Sequence, residues 1–229
     1  MLSFRTGLAG GALALALALA ACSGSPDEPV ITENGYAIDI LRLDGTDSLV
    51  FDPDEAIAPA DQATIEFWVQ VGWDEDPGFD PVIFANSGPE GSAYVVAIER
   101  EGDGLILASG EQVDIAPFDF ADGELHHVAL IDYGASTVLR VDQTAIAELD
   151  VDLIAYPSQG LYFGTERGEE DGFRGVIGGF RFWDVAVDAG NLAAYAKADV
   201  LNEENPHPDL DSLSVISDFA AERVVYIEQ

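Results

Sequence analysis

The sequence has few cysteines and few basic residues, and each shortage excludes a class of protein. Cys22 is the one cysteine among 229 residues, so neither an intrachain disulfide nor a cysteine-based metal site can form. Lysine and arginine together number 9 against 43 aspartates and glutamates, which gives a formal net charge of −34 at pH 7. Such a charge repels nucleic acid and anionic lipid headgroups. We therefore expect no nucleic-acid partner.

Long hydrophobic runs are also scarce, and the one clear example lies at the N-terminus. After Arg5 the chain reads LAGGALALALALAA, which is too short for a membrane span and fits the apolar region of a secretory signal. The run ends in Leu19-Ala20-Ala21-Cys22, which resembles the lipobox of bacterial lipoproteins. The resemblance implies lipid attachment at Cys22, and Ser23, where an Asp would signal inner-membrane retention, favours the outer membrane. The expected location is therefore the bacterial cell envelope, on either side of the outer membrane.

These features predict three parts of the chain. Residues 1–21 are predicted to be a lipoprotein signal peptide, and residues 22–35 a lipid anchor with a flexible tether rich in small and polar residues. Residues 36–229 are predicted to form one domain, long enough to bury a good core.

The predicted domain is all-β. Short segments rich in Val, Ile, Phe and Tyr alternate with Gly, Pro and Asp, as in an antiparallel two-sheet sandwich. In TIEFWVQV, for example, Ile65, Phe67, Val69 and Val71 share one face. One helix is predicted over residues 188–201, with Asp188 as its N-cap. Residues 205–212 are turn-like, and residues 213–229 fit either a strand or a short helix followed by a strand.

The order of these segments resembles the laminin-G-like, or concanavalin A-like, jelly roll of bacterial surface proteins. The segments that carry the resemblance are LRLDGTDSLVF, ATIEFWVQV, PVIFANSG, GELHHVALIDY, LRVDQT, LYFGT and FRGVIGGFRFWDVAV. Two positions depart from the family pattern. Leu125 stands where relatives usually have Trp, and Gly178-Gly179 stand where relatives often have two acids, one of which resembles a calcium ligand.

The resemblance implies a binding module, and three functions stay open. The first is a lipid-anchored, non-catalytic module that recognises a glycan or a protein at the envelope. The second is a structural or assembly lipoprotein without a ligand of its own. The third is a glycosidase-like enzyme on the same fold, which would need two carboxylates across the sugar bond. No E-x-D-x-x-E strand motif occurs and Glu66 alone cannot supply the pair, so we predict that the chain is not an enzyme.

The adjacent histidines His126 and His127 suggest a metal site, but their setting argues against one. They lie in the predicted strand LHHVALIDY, where neighbouring side chains point to opposite faces and cannot easily hold one ion. We therefore predict structural roles, with one imidazole in the core hydrogen-bonded to the backbone. His207, between two prolines, is predicted to lie in a turn.

Two weaker candidate sites remain. Trp73 ends a strand before an acidic loop, so its ring is a candidate platform for a sugar, whereas Trp68 and Trp183 are expected to pack in the core. No cofactor is certain, but calcium is an open alternative because it prefers several oxygen ligands from loops. The candidate calcium ligands are Asp44, Asp47, Asp74, Asp76, Asp80, Glu169, Glu170 and Asp171.

The lipobox-like ending of the signal generates the first test. We expect Cys22→Ser to remove lipid from the protein, because the thiol is the predicted attachment atom. Metabolic labelling with a clickable fatty acid measures this, with Ser23→Ala as the control that should keep the label. Equal labelling of Cys22→Ser and the natural chain would contradict the lipoprotein prediction.

Overall fold

The short apolar segments form strands, as their period-two pattern predicts. The computed structural model describes residues 30–31, 37–51, 61–73, 75–88, 91–153, 160–166, 172–219 and 223–226. The strands in these ranges are β1 (Val30–Ile31), β2 (Ala37–Ile38), β3 (Ile40–Asp44), β4 (Leu49–Phe51), β5 (Ala63–Val71), β6 (Val82–Gly88), β7 (Gly91–Ile98), β8 (Gly104–Ser109), β9 (Gln112–Pro117), β10 (His126–Asp132), β11 (Thr137–Val141), β12 (Thr144–Leu149), β13 (Gly160–Phe163), β14 (Arg174–Trp183), β15 (Leu213–Asp218) and β16 (Arg223–Tyr226).

Two antiparallel sheets confirm the predicted sandwich. The larger sheet has the order β12-β11-β10-β5-β14-β15-β16, and β3 also pairs with β14. The smaller sheet has the order β4-β13-β6-β7-β8-β9. β1 pairs with β2 in a separate ribbon, so a short strand lies within the segment that the sequence predicts as a tether. Within residues 213–229, which the sequence leaves ambiguous, β15 and β16 pair antiparallel.

The core lies between the sheets and is built from the apolar face of each strand. On β5 the side chains of Ile65, Phe67 and Val69 are fully buried, as their spacing predicts. Phe84 of the smaller sheet meets Phe67 edge-on, with 5.1 Å between ring centroids, and it also meets Phe180 at 5.3 Å. Each such burial contributes about 1.5–3 kcal/mol of hydrophobic stabilisation.

A short helix covers the middle of the outer face of the larger sheet. Helix α1 (Ala189–Tyr195) begins after Asp188, whose carboxylate accepts the backbone N–H of Gly190 at 2.7 Å, which confirms the predicted N-cap. The helix ends six residues before the predicted end at residue 201. At this end the Arg181 guanidinium donates hydrogen bonds to the carbonyl oxygens of Tyr195 and Ala198 at 3.1 and 3.0 Å. These carbonyls therefore have a donor outside the helix.

The chain beyond α1 stays on the same face, and α1 together with the segment up to the 3-10 helix is called the cover below. Residues 205–212 turn as predicted, and a 3-10 helix (Leu210–Ser212) leads into β15. Its apolar side chains pack on the outer side of the sheet against Trp183, Ala129 and Ile131. Across the described ranges, none of the helices has the length and apolar character that a membrane crossing needs.

A buried ion pair lies beneath this cover. Glu66 is 2% exposed, and one of its carboxylate oxygens accepts hydrogen bonds from Arg181 at 3.1 Å and from the Trp183 indole N–H at 3.0 Å. The other oxygen lies 2.9 Å from Nε2 of His127. Burial alone would raise the pKa of Glu66, but the charge of Arg181 and the hydrogen bond of His127 outweigh it and hold the pKa at about 2. Glu66 is therefore an anion throughout the physiological range.

The histidine pair has structural roles, and its two rings lie on opposite faces of β10. His127 is buried beside Glu66, and His126 is buried between the carboxylates of Asp142 and Asp122, at 2.7 and 3.1 Å. The prediction that the core imidazole bonds to the backbone is wrong, because both rings bond to carboxylates. Burial lowers the pKa of His126, but these two carboxylates outweigh it and raise the pKa above its usual value.

His126 and His127 also hold a tight turn. The two-residue connection from β11 to β12 has positive φ at Asp142 (46°) and Gln143 (70°), as a type I′ hairpin turn requires. Neither residue is the glycine that this turn favours. Asp142 is held in place because its N–H donates to the His127 carbonyl at 2.9 Å and its carboxylate accepts the His127 N–H at 3.0 Å. His207 lies in a turn as predicted, with its ring centroid 4.4 Å from that of Trp183.

The buried ion pair generates a stability prediction. Glu66→Gln leaves the Arg181 charge buried without its counter-ion, which typically costs about 3–5 kcal/mol of unfolding free energy. Urea denaturation measures this loss. Glu148→Gln removes an exposed carboxylate that accepts from Ser136, and it should change the free energy by less than about 0.5 kcal/mol. A loss below about 1 kcal/mol for Glu66→Gln would refute the importance of the pair.

A second buried acid, Asp132 at the end of β10, has the opposite electrostatic setting. Burial raises its pKa most, the hydrogen bond from the Gly134 N–H opposes that rise, and the neighbouring carboxylate of Asp152 adds to it, so the pKa is about 6. Between pH 4 and 6 the folded state therefore binds more protons than the unfolded state. Asp132 consequently lowers stability as the pH rises through this window, and above pH 6 the full penalty is present.

Asp132→Asn should therefore stabilise the protein at neutral pH. The amide oxygen can still accept the Gly134 N–H, while the charge is gone. One pKa unit corresponds to about 1.4 kcal/mol, and after partial screening by solvent we expect a gain of about 1–2 kcal/mol at pH 7.5 that vanishes near pH 4. Melting curves at both pH values measure it. The exposed Asp150→Asn changes the net charge equally, and an identical gain there would attribute the effect to general charge relief.

Candidate functional site

An open groove lies on the outer face of the larger sheet, beyond the end of the cover. It is positioned by three neighbouring strands: Arg42 of β3 lies opposite Val176 of β14, which lies opposite Gln70 of β5. Side chains at these positions point away from the core, because the alternate residues Leu41, Leu43 and Val71 pack inside. The sheet register therefore brings polar side chains from distant parts of the chain to one row.

The groove has the size of a small-molecule site. Its volume is about 400 Å³, within the range of about 300–1,000 Å³ that ligand sites occupy. Residues on its lining include Arg42, Gln70, Gly72, Gly123, Arg174 and Val176. The backbone N–H of Gly72 donates to the Arg174 carbonyl at 2.9 Å, so the ends of β5 and β14 are tied together at the groove.

Its polar groups retain hydrogen-bonding capacity. The Gln70 amide donates to the Gly123 carbonyl at 2.6 Å, which orients its side chain and leaves the amide oxygen as an acceptor. Arg42 and Arg174 are exposed, and in the parts of the chain that the structure describes neither side chain makes a hydrogen bond or an ion pair. The sequence alone does not single out these three residues. The pattern that could have indicated them is that each occupies an outward-facing position of its strand.

Trp73, the predicted sugar platform, lies just beyond this groove. It follows Gly72, is partly buried, and meets Phe173 edge-on with 5.6 Å between ring centroids. Its indole N–H donates to the Arg100 carbonyl at 3.3 Å. The ring is therefore partly occupied by packing contacts, and its role toward a sugar stays a prediction.

The described acids proposed as calcium ligands lie in two loops, and three of them accept hydrogen bonds from the protein itself. Asp44 accepts from the backbone N–H and the hydroxyl of Thr46 at 2.9 and 2.8 Å, and the Thr46 N–H in particular lowers the pKa of Asp44. Asp76 accepts the Gly78 N–H at 2.7 Å, and Asp80 accepts the Arg100 N–H at 3.0 Å.

The remaining calcium candidates are either exposed or outside the described residues. Asp47 is exposed in the turn after β3. The other predicted ligands, Asp74, Glu169, Glu170 and Asp171, lie outside the described residues. Among the residues that are described, no three His, Cys, Asp or Glu side chains converge as a metal ion would require. The calcium site stays a prediction.

A second depression lies at the opposite end of the same sheet face. Its volume is about 580 Å³, and its lining includes Asp61, Gln62, Tyr133 and Asp184. The Tyr133 residue is 51% exposed, whereas Asp184 already accepts the Ser214 hydroxyl. This depression carries acids where the first groove carries arginines, so the two ends of the face would select different ligands.

Known structures share this fold. A protein from Bacteroides ovatus proposed to bind carbohydrate is 18% identical, with a TM-score of 0.53, and the match covers 75% of this chain and 49% of that one. Domain 4 of AbnA, a GH43 extracellular arabinanase from Geobacillus stearothermophilus solved with arabinotriose, is 13% identical, with a TM-score of 0.53 and coverage of 75% and 81%. The botulinum neurotoxin serotype D ligand binding domain, solved with N-acetylneuraminic acid, is 12% identical, with a TM-score of 0.53 and coverage of 75% and 48%.

The present chain thus spans about half the length of the first and third of these structures. At such low identities the likeness shows a common fold. A comparison with curated proteins finds no match. A family model described as the Concanavalin A-like lectin/glucanases superfamily matches residues 43–193, the region that contains both sheets up to α1. Because this match spans well over half of the chain, the protein belongs to the concanavalin A-like lectin/glucanases superfamily.

Proposed function

We propose that the protein is a non-catalytic glycan-binding module held at the bacterial envelope by a lipid on Cys22. The observation that carries the proposal is the groove lined by Arg42, Gln70 and Arg174, where two guanidinium groups and the Gln70 amide oxygen have no hydrogen-bond partner among the described residues. Sugars are recognised by such groups, because each hydroxyl needs donors and acceptors to replace its water. The saccharides in two of the solved relatives support this ligand class.

The environment of Glu66 supports a non-catalytic function. A glycosidase needs two carboxyl groups that can reach the substrate, one of them able to give up a proton. Glu66, the acid at the centre of the sheet face, is covered and has both oxygens bound by Arg181, Trp183 and His127. Its pKa of about 2 also makes it a poor proton donor. The acid therefore acts as a structural anion.

A second candidate function, assembly with an envelope protein, is favoured by the outer face of the smaller sheet. In one row across this sheet Tyr162 lies opposite Val50 and Ala85, and Val95 and Ala108 continue the row to Val113. Val50 is 49% exposed and Val113 is 63% exposed. An uncharged row of this kind is unusual on a protein with 43 acids.

A glycan array of the full-length protein in neutral detergent tests the proposal. We expect binding to a defined set of glycans. Gln70→Ala should weaken the affinity about three- to tenfold, because it removes one hydrogen-bonding group from the groove. Titration calorimetry on the array's best ligand measures this change.

Two control variants distinguish the alternatives. Tyr133→Ala alters the second depression, and Val113→Lys places a charge on the row of the smaller sheet, so both should keep the affinity. Loss of binding in Tyr133→Ala alone would move the site to the other end of the face. Absence of any glycan ligand, with a partner protein released by Val113→Lys, would replace glycan binding by assembly.

A further inference from the structure

We infer that the groove selects glycans that carry carboxylates, and that Arg42 and Arg174 hold the carboxylate group. The inference rests on the proposed glycan-binding function and specifies the ligand class. Its starting point is the distribution of positive charge over the molecule. With 43 acids and only 9 basic residues, a basic side chain has many acids within reach, and one without an acidic partner is unexpected.

The described arginines divide into two groups. Arg181 is paired with Glu66 at 3.1 Å, Arg100 lies 3.9 Å from Asp76, and Arg140 donates to the Gln143 carbonyl. Arg42 and Arg174 have no such partner among the residues described, and both line the same groove. Among the arginines whose side chains the structure describes, the two without a partner therefore line one groove.

The acid that lies opposite Arg174 in the sheet forms no salt bridge with it. Asp44 lies opposite Arg174 in the pairing of β3 with β14. One of its carboxylate oxygens is held by Thr46, through the backbone N–H at 2.9 Å and the hydroxyl at 2.8 Å. No salt bridge joins Asp44 to Arg174, so the guanidinium is free to bind a ligand.

A third cation lies on the same face of the larger sheet. The Lys197 ammonium lies 5.9 Å from the centroid of the Trp68 ring. Trp68 and Gln70 are two residues apart on β5, so their side chains are on one face and about 7 Å apart. Lys197 thus lies over the outer face of β5, while the cations that line the groove itself come from β3 and β14.

The chemistry of these groups favours a carboxylate. A guanidinium forms two parallel hydrogen bonds with a carboxylate, and this charge-assisted pairing is about twice as strong as bonds between neutral groups. A neutral sugar would gain much less from two arginines. A sugar carboxylate next to ring hydroxyls would use the arginines for its charge and the Gln70 amide oxygen for a hydroxyl.

The net charge of the whole molecule favours a short oligosaccharide over an extended polyanion. A bilayer or a nucleic acid presents an extended anionic surface, which the −34 net charge repels. At physiological salt, charges more than about 8 Å apart are largely screened. An oligosaccharide that enters the groove is therefore governed by the nearby arginines, while an extended polyanion meets the acidic surface around them.

A paired glycan panel tests the inference. It contains oligosaccharides of galacturonate, of glucuronate and of N-acetylneuraminic acid, each beside its carboxyl-reduced counterpart, with glycerol phosphate as a phosphate-bearing competitor. We expect the full-length protein to bind at least one carboxylated member about tenfold more tightly than its reduced counterpart. Added NaCl should weaken the carboxylated complex and leave binding of the reduced one unchanged.

The arginine variants identify the residues responsible. Arg42→Gln and Arg174→Gln should each abolish the preference for the carboxylated member, and Arg→Lys at either position should restore only part of it. Arg140→Gln, which removes an equal charge on β11, should keep the full preference. Melting curves check that each variant is folded.

Three outcomes would overturn the inference, and they are distinguishable from failure of the proposed function. Equal affinity for both members of every pair, sensitive to Gln70→Ala, would keep glycan binding and refute carboxylate selection. Competition by glycerol phosphate in place of carboxylated glycans would assign the groove to phosphate. No binding to either half of the panel or to a general array would refute glycan binding itself, and carboxylate selection with it.

Discussion

The pairing of Glu66 with Arg181 is the interaction on which the outer side of the larger sheet depends. A buried charge without compensation would cost several kcal/mol, so each partner requires the other. Glu66 lies on β5 at the centre of the sheet, and His127 on β10 and Trp183 on β14 complete its shell. One carboxylate thus connects three adjacent strands through side chains as well as through the backbone.

Arg181 extends this connection from the sheet to its cover. Its guanidinium donates to the Glu66 carboxylate and also to the carbonyl oxygens of Tyr195 and Ala198. The Arg181 side chain therefore binds the carbonyls at the end of the helix and also holds the helix on the sheet. The cover thus occupies the middle of the described face, and the arginine groove and the acidic depression lie at its two ends.

The acidity of the chain and the proposed specificity are two aspects of one charge distribution. Most described basic side chains contact the protein's own groups, as Arg181 does with the buried Glu66 and Arg100 does with the exposed Asp76. Against such a background, two unpaired arginines form a local exception with a clear chemical meaning. Acidity elsewhere on the surface would discourage extended polyanions, while the groove would accept a single anionic group.

Much of the fold and little of the site could be predicted from the sequence. The strands and their buried faces follow from period-two patterns such as that of Ile65, Phe67 and Val69, because alternation on a strand is a local property. The N-cap at Asp188 is local as well. The predicted end of the helix is wrong, because the helix ends where its carbonyls meet Arg181. Arg181 belongs to β14, and only the folded sheet places it beneath the cover.

The sequence by itself determined the antiparallel sandwich, the acidic surface and the family resemblance, because composition and short-range periodicity carry that information. Only the tertiary structure decided that His126 and His127 bond to carboxylates and hold the turn at Asp142. It also decided that Arg42, Gln70 and Arg174 share a groove. These residues lie on three strands whose order in the sheet differs from their order in the chain, so their proximity is set by long-range strand register and cannot be read from any one segment.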